Sequence, residues 1–217
     1  VQVTVALDLG AYSDIADYPG LIDKVRLWLD RGDELNPYLP TFIMLAESYL
    51  NRTLRTPEME AYTSVPVVGG LARLPLDCLE VRGISVGERP LQATSPANLA
   101  RDYRGHAGAP LSYAIRGRDL LLAPTSDDAL DLTYWQRIPA LTLNAPVNWL
   151  LDGHPDIYLY GALAAASGYI DDPEKLGQWQ AAFEGAVEQL RDAGNRARWG
   201  GPIVARSGVQ QFRRVRA

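Results

Sequence analysis

The stretch from Asn148 to Arg198, NWLLDGHPDIYLYGALAAASGYIDDPEKLGQWQAAFEGAVEQLRDAGNRAR, constrains the fold more than any other part of the chain. It predicts two consecutive helices with a break at Asp171–Asp172. In the second, Leu176, Trp179, Phe183, Ala186, Val187 and Leu190 share one helical face, the pattern of a half-buried helix. Asp172, Pro173 and Glu174 supply its start: an N-cap, a proline at the first position and an acid in the first turn. The first helix, from about Pro155 to Ile170, is apolar almost all round, and its Gly161–Gly168 centre has little side-chain bulk. Such a helix belongs at the centre of a bundle, where partners approach closely. It needs cover from elsewhere in the chain or from other chains.

Two upstream helices have apolar faces of the right size. Tyr18 to Asp30 carries Leu21, Ile22, Val25, Trp28 and Leu29, with Pro19 at the start and Gly32 placed for a left-handed cap. About Tyr38 to Arg55 carries Phe42, Ile43, Ala46, Tyr49, Leu50 and Leu54, with Pro40 in the tolerant first turn. Between Glu58 and Leu143 the pattern changes. Proline and glycine recur between short β-type runs: Tyr62–Val68, Ala72–Leu74, Leu79–Val86, Ser112–Arg116, Asp119–Ala123 and Leu130–Arg137. Gly69–Gly70, Arg118–Asp119 after Gly117, and Asp127–Asp128 are turn signals, and Ser95–Tyr103 reads as a short helix with a serine cap. The expected fold is α+β: a four-helix bundle with an inserted small antiparallel β subdomain and extended termini. Its parts are a 1–17 N-terminal arm, helical segments 18–56 and 145–198, a 57–144 β-rich insertion and a 199–217 basic tail. Residues 1–17 alternate weakly and then turn polar, which fits an arm, a strand added to a neighbour or an unstructured lead-in.

Charge is unevenly spread. The first 192 residues hold 15 basic against 26 acidic side chains, and the last 25 hold six arginines and no acid. The overall charge of −5 gives no general reason to expect nucleic-acid binding. The tail arginines, interleaved with Ile203, Val209, Phe212 and Val215, suit carboxylate or phosphate acceptors on a partner. Binding of DNA phosphates is the competing use of the same residues. The lone Cys78 excludes an intrachain disulfide and fits a reducing compartment and a buried turn. No run reaches a membrane span, and the first residues lack the pattern of a signal peptide.

Chemistry is hard to find. His106, His154 and Cys78 have no metal-ligand spacing, and no nucleophile elbow or phosphate loop occurs. His106 reads as a loop residue and His154 as part of a helix start. Glu58 and Glu60 read as solvated acids at a strand entry. Arg31–Gly32–Asp33 and His154–Pro155–Asp156 match an integrin-binding and a co-chaperone tripeptide, but both have ordinary capping or loop roles here. The expectation is a chain with no catalytic site, metal or cofactor.

One run is recognisable: FIMLAESYLNRTLRTPEMEAYTSVPV, Phe42–Val67. It resembles the head-to-tail adaptor (connector) proteins of tailed bacteriophages. LPLDCLEVRGISV (Leu74–Val86), LTYWQRIPALTLNAPVNWLL (Leu132–Leu151) and PDIYLYGALAAA (Pro155–Ala166) extend the resemblance in matching order, from about Tyr18 to Trp199. It implies a structural virion protein of the head–tail neck, assembled in the host bacterial cytoplasm and present in rings of about twelve copies. Implied partners are the portal protein, the next tail or neck component, other copies of the chain, and double-stranded DNA that passes without sequence-specific binding. No membrane is implied. The arginine tail, with Arg206, Phe212, Arg213, Arg214 and Arg216, becomes the candidate portal-docking element. The alternative function is a DNA-binding or packaging accessory acting through that tail. A cell-wall hydrolase is a third class, for which no catalytic constellation is visible.

Overall fold

The structure, a computed structural model, describes residues 15–31, 33–102 and 106–198. The 1–14 part of the arm and the 199–217 tail, with its five candidate docking residues, lie outside the described residues.

Four of the six described α-helices begin at a side-chain cap, and the other two start without one on a proline in the first turn. α1 (Tyr18–Leu29) starts at Asp17, whose carboxylate accepts the Gly20 amide at 2.8 Å. It ends on Asp30 in the left-handed region (φ 48°), so the cap expected at Gly32 falls two residues earlier. α2 spans Leu39–Thr53 after a 3-10 turn at Asn36–Tyr38. α3 (Pro96–Asp102) is capped by the Ser95 hydroxyl. α4 (Trp149–Gly153) is capped by Asn148, and α5 follows over Pro155–Tyr169. α6 (Pro173–Arg198) starts at Asp172, which accepts the Lys175 amide.

α5 is the hub of the helical layer. Ile157, Tyr158, Ala162, Leu163 and Ala166 are buried in one cluster with Leu21 and Val25 of α1, Phe42, Ile43 and Leu50 of α2, and Phe183, Val187 and Leu190 of α6. Gly161 is where the layer is tightest. A Cβ there would lie 2.8 Å from the Ala46 Cβ and 2.9 Å from a Phe183 ring carbon. Glycine is required because α2 and α6 both press against that backbone.

The β part is larger than the expected insertion. β1 (Glu60–Val65), β8 (Leu130–Gln136), β3 (Cys78–Val86) and β4 (Arg89–Pro90) form one sheet in that spatial order. β2 (Leu71–Arg73), β7 (Asp119–Ala123), β6 (Ser112–Arg116) and β5 (Gln92–Ala93) form a second. All pairs are antiparallel except β5–β6. Leu130, Leu132 and Tyr134 of β8 and Ile84 of β3 pack against Ala72 of β2 and Leu120 and Leu122 of β7. The two sheets thus lie face to face. On the outer face of the second sheet, Leu99 of α3 covers Ala114 and Ala123.

The four-helix bundle with a small β insert is therefore incorrect. The described residues form six α-helices and two four-stranded sheets, a mixed α+β fold. The reason is local. Each short strand has an apolar face too narrow to stand uncovered, and pairing in two layers covers both. The alternation of these runs alone suits a single small antiparallel sheet equally well. A first helix expected from about Pro155 leaves α4 unassigned, because five residues give no periodicity. Cys78 opens β3 and is half-buried; the turn expected there lies just before it, at Leu76–Asp77.

The helices abut the end of the first sheet. Trp135 of β8, Ile138 beyond it and Met59 before β1 are buried in the helical cluster, with Leu79 of β3 against it. The Arg82 guanidinium lies 4.8 Å from the centre of the Trp135 ring.

Candidate functional site

The most elaborate polar arrangement lies where helices and sheets meet. Glu47 of α2 is buried at 7% exposure, although an acid is seldom buried without partners. Its Oε1 accepts the Leu141 amide at 2.8 Å and the Tyr158 hydroxyl at 3.3 Å. That hydroxyl accepts the Asn148 amide at 2.8 Å, and the same Asn148 nitrogen donates to the Pro139 carbonyl at 2.6 Å. Asn148 Oδ1 meanwhile caps α4 through the Leu151 amide. One turn on from Glu47, Asn51 accepts the Ile138 amide at 2.9 Å. The 137–148 connection between β8 and α4 is thus fixed to α2 and α5 by three side chains. The Tyr18 amide adds a bond to the Pro146 carbonyl at 2.7 Å.

Burial raises the Glu47 pKa, and the Leu141 amide and Tyr158 hydroxyl pull it back down. Burial also raises the Tyr158 phenol, and the Glu47 charge adds to this against the Asn148 bond. Both shifts express a packed joint: Tyr158 is fully buried, and of the pair Glu47 alone reaches the lining of a neighbouring groove. Sequence reading did not find this cluster. Its available signal was the position of Glu47 on the apolar stripe, beside Ile43, Ala46 and Leu50.

The sites weighed for chemistry sit on separate elements. His106 is exposed ahead of β6, and its carbonyl accepts from Thr125. His154 is half-buried between α4 and α5. The Cys78 thiol is pushed up by burial and by the Asp77 charge, away from nucleophile character. Glu58 and Glu60 are exposed. Among the described residues no group of three His, Cys, Asp or Glu side chains is placed to hold a metal ion. Likewise no described helix is long and apolar enough to cross a membrane.

The outer surface is more informative. Leu45, 49% exposed, forms a ridge on α2 between two grooves. One, of about 260 Å³, is floored by Gly161, Ala164 and Ala165 and walled by Tyr49 and Phe183. The other lies against Leu79, Ile138 and Ala140, with Met44 on its rim. At the opposite end of α2, Tyr38 and Phe42 pack on Tyr169 with ring centres 5.2 and 5.6 Å apart. Trp28 and Tyr160 pack on Trp179 at 5.5 and 6.0 Å. On the β part, Tyr62, Val68 and Leu76 are all more than two-thirds exposed. Aromatic and apolar groups are thus left outside on both the helical and the β parts of the chain, where a partner can reach them.

A family model described as SU10 adaptor protein matches residues 16–206. The chain belongs to this family. Its members are bacteriophage adaptor proteins, and membership gives this chain a structural role. None of the curated proteins compared with it matches. In an adaptor the functional site is surface, and the candidate surfaces here are the α2 ridge, the aromatic end of the helices and the exposed β residues. Glu47, Asn148 and Tyr158 fix the helices relative to the sheets.

Proposed function

We propose that this adaptor forms a ring that joins the portal vertex of the phage head to the tail and continues the DNA exit channel. The family match over 16–206 carries the reading. Exposed apolar groups on both helical and β parts support it, because a link between two bodies needs two contact surfaces. The chain acts mechanically, without catalysis or cofactor. In the virion neck its partners are the portal protein, the next tail or neck component, and about twelve copies of itself in a closed ring. The acidic charge of the first 192 residues discourages passing duplex DNA from sticking. Arg206, Phe212, Arg213, Arg214 and Arg216 dock on the portal.

The test is to mix the protein with its cognate portal ring and image the product. A ring stacked below the portal is the expected result; no association under any condition overturns the proposal. The acid-free arginine tail favours one second reading, a DNA-packaging accessory. Salt-dependent retention on duplex DNA, together with failure to bind the portal, would select it.

A further inference from the structure

Sheet edges are normally blunted, because their unpaired backbone groups recruit other strands. Three of the four edges here follow that rule. β4 has two residues, one of them Pro90; β5 has two; β2 has three and ends on Arg73. β1 does not. It runs six residues, Glu-Ala-Tyr-Thr-Ser-Val, without lysine, proline, glycine or a bulge, in unbroken register with β8. Its other edge pairs with no described strand. The core beneath it is also unfinished: Ala61 and Val65 point into the sandwich cluster but stay only half-buried.

The same chain carries a segment of fitting pattern. In extended form, residues 1–8 (VQVTVALD) would place Val1, Val3, Val5 and Leu7 on one face and Gln2, Thr4, Ala6 and Asp8 on the other. The apolar face would complete the core beside Ala61 and Val65, and the second face would lie on the solvent side with Tyr62. Eight residues suffice to run the length of β1, about 20 Å. We propose that the β1 edge is the docking site for the Val1–Asp8 segment of a second copy of this chain, added as a further strand to the first sheet. Donor and acceptor are then different surfaces, the heterologous contact from which rings close. The choice of a second copy rests on the adaptor reading; the match of strand to edge does not.

The alternation gives a face-specific test in the intact 217-residue chain. Hydrogen–deuterium exchange is measured on the wild type, on Val3→Lys/Val5→Lys and on Gln2→Lys/Thr4→Lys. The first variant should speed exchange of the Glu60–Val65 amides by roughly tenfold and leave β3 and β7 unchanged, while the second should match the wild type. A fluorescent VQVTVALD peptide should bind the Val3→Lys/Val5→Lys chain and restore protection. Dilution of the wild type should remove protection, since the donor is another molecule. Equal exchange in all three chains, equal effects of both variants, or no peptide binding overturns strand addition. Protection that survives dilution overturns the second-copy assignment. None of these measurements uses the portal, so their failure is distinct from failure of the proposed function.

Discussion

Gly161 should be the least replaceable small residue in α5, and the neighbouring Gly168 the most replaceable. In Gly161→Ala the new methyl would meet the Ala46 Cβ at 2.8 Å and the Phe183 ring at 2.9 Å, against roughly 3.5–4.0 Å for carbon atoms at rest. The Phe183 ring can rotate by a small angle. The Ala46 Cβ is fixed to its backbone, so relief needs α2 and α5 to separate. Overpacking of this kind costs about 1–3 kcal/mol, and replacing a helical glycine by alanine returns about 1 kcal/mol. The net expectation is a loss of about 1 kcal/mol. At Gly168 the nearest atom to the added Cβ is Leu176 Cδ1, at 3.9 Å, an ordinary contact. Only the helix gain remains there, about 0.5 kcal/mol near the end of a helix.

Urea unfolding followed by circular dichroism reads both. With a slope of about 2 kcal/mol per molar, Gly161→Ala should lower the midpoint by about 0.5 M and Gly168→Ala should raise it slightly. A double-mutant cycle locates the cause. Ala46→Gly removes the methyl that Gly161→Ala would strike, so the pair should be less destabilised than the sum of the singles by at least about 0.5 kcal/mol. A Gly161→Ala chain as stable as the wild type, or an additive pair, would refute close α2–α5 contact as the reason for the small-residue centre.

Three further outcomes are expected. The Glu47 pKa in the folded chain lies above its ordinary value of 4.5, so the folded state holds that proton more tightly than the unfolded one. Its contribution is therefore full below about pH 4.5 and is lost as pH rises through the raised value; Glu47→Gln should flatten this part of the stability–pH curve in urea titrations. Asn148→Ala removes the α4 cap and the bonds to Tyr158 and Pro139, and should cost about 2–3 kcal/mol by the same unfolding assay. Deleting Ile203–Ala217 should weaken attachment to filled heads in a reconstitution assay while leaving the circular dichroism of the body unchanged; normal attachment would remove the tail from portal docking.

Helix starts were legible because a cap is a local event. Asp17 with Pro19, Ser95 with Pro96 and Asp172 with Pro173 each place the side-chain acceptor and the fixed backbone within a few residues. The tight turns at Gly69–Gly70 and Gly117 were legible for the same reason, as both need positive φ. The number of sheets was not. Whether Leu120 and Leu132 line one sheet or two facing ones depends on contacts between distant segments, and alternation is the same in either case. β4 and β5 exist only through their partners, since two residues carry no period. The Glu47–Tyr158–Asn148 cluster joins positions up to 111 residues apart, and an acid on a helix reads first as a solvated one.

The joint between helices and sheets has a property that apolar packing alone would not provide. Trp135, Ile138, Met59 and Leu79 supply burial, which is non-directional and tolerates small rotations of one part on the other. The polar contacts do not tolerate them. Glu47 and Asn51 grip backbone amides three residues apart in the 137–148 connection, and Asn148 grips a carbonyl between them. Each of these bonds is lost if the connection slides by about an ångström, because hydrogen bonds weaken steeply outside a narrow range of distance and angle. Arg55 adds a contact to Glu80 of β3 at 3.3 Å, but that pair is partly exposed and contributes little. Burial therefore holds the two parts together, and the buried carboxylate and amides set their angle. Burying an acid raises the pKa of Glu47 and costs stability near neutral pH; what the fold gains is one fixed orientation between its helical and β parts. For the link between two bodies proposed above, that fixed angle matters more than the lost stability.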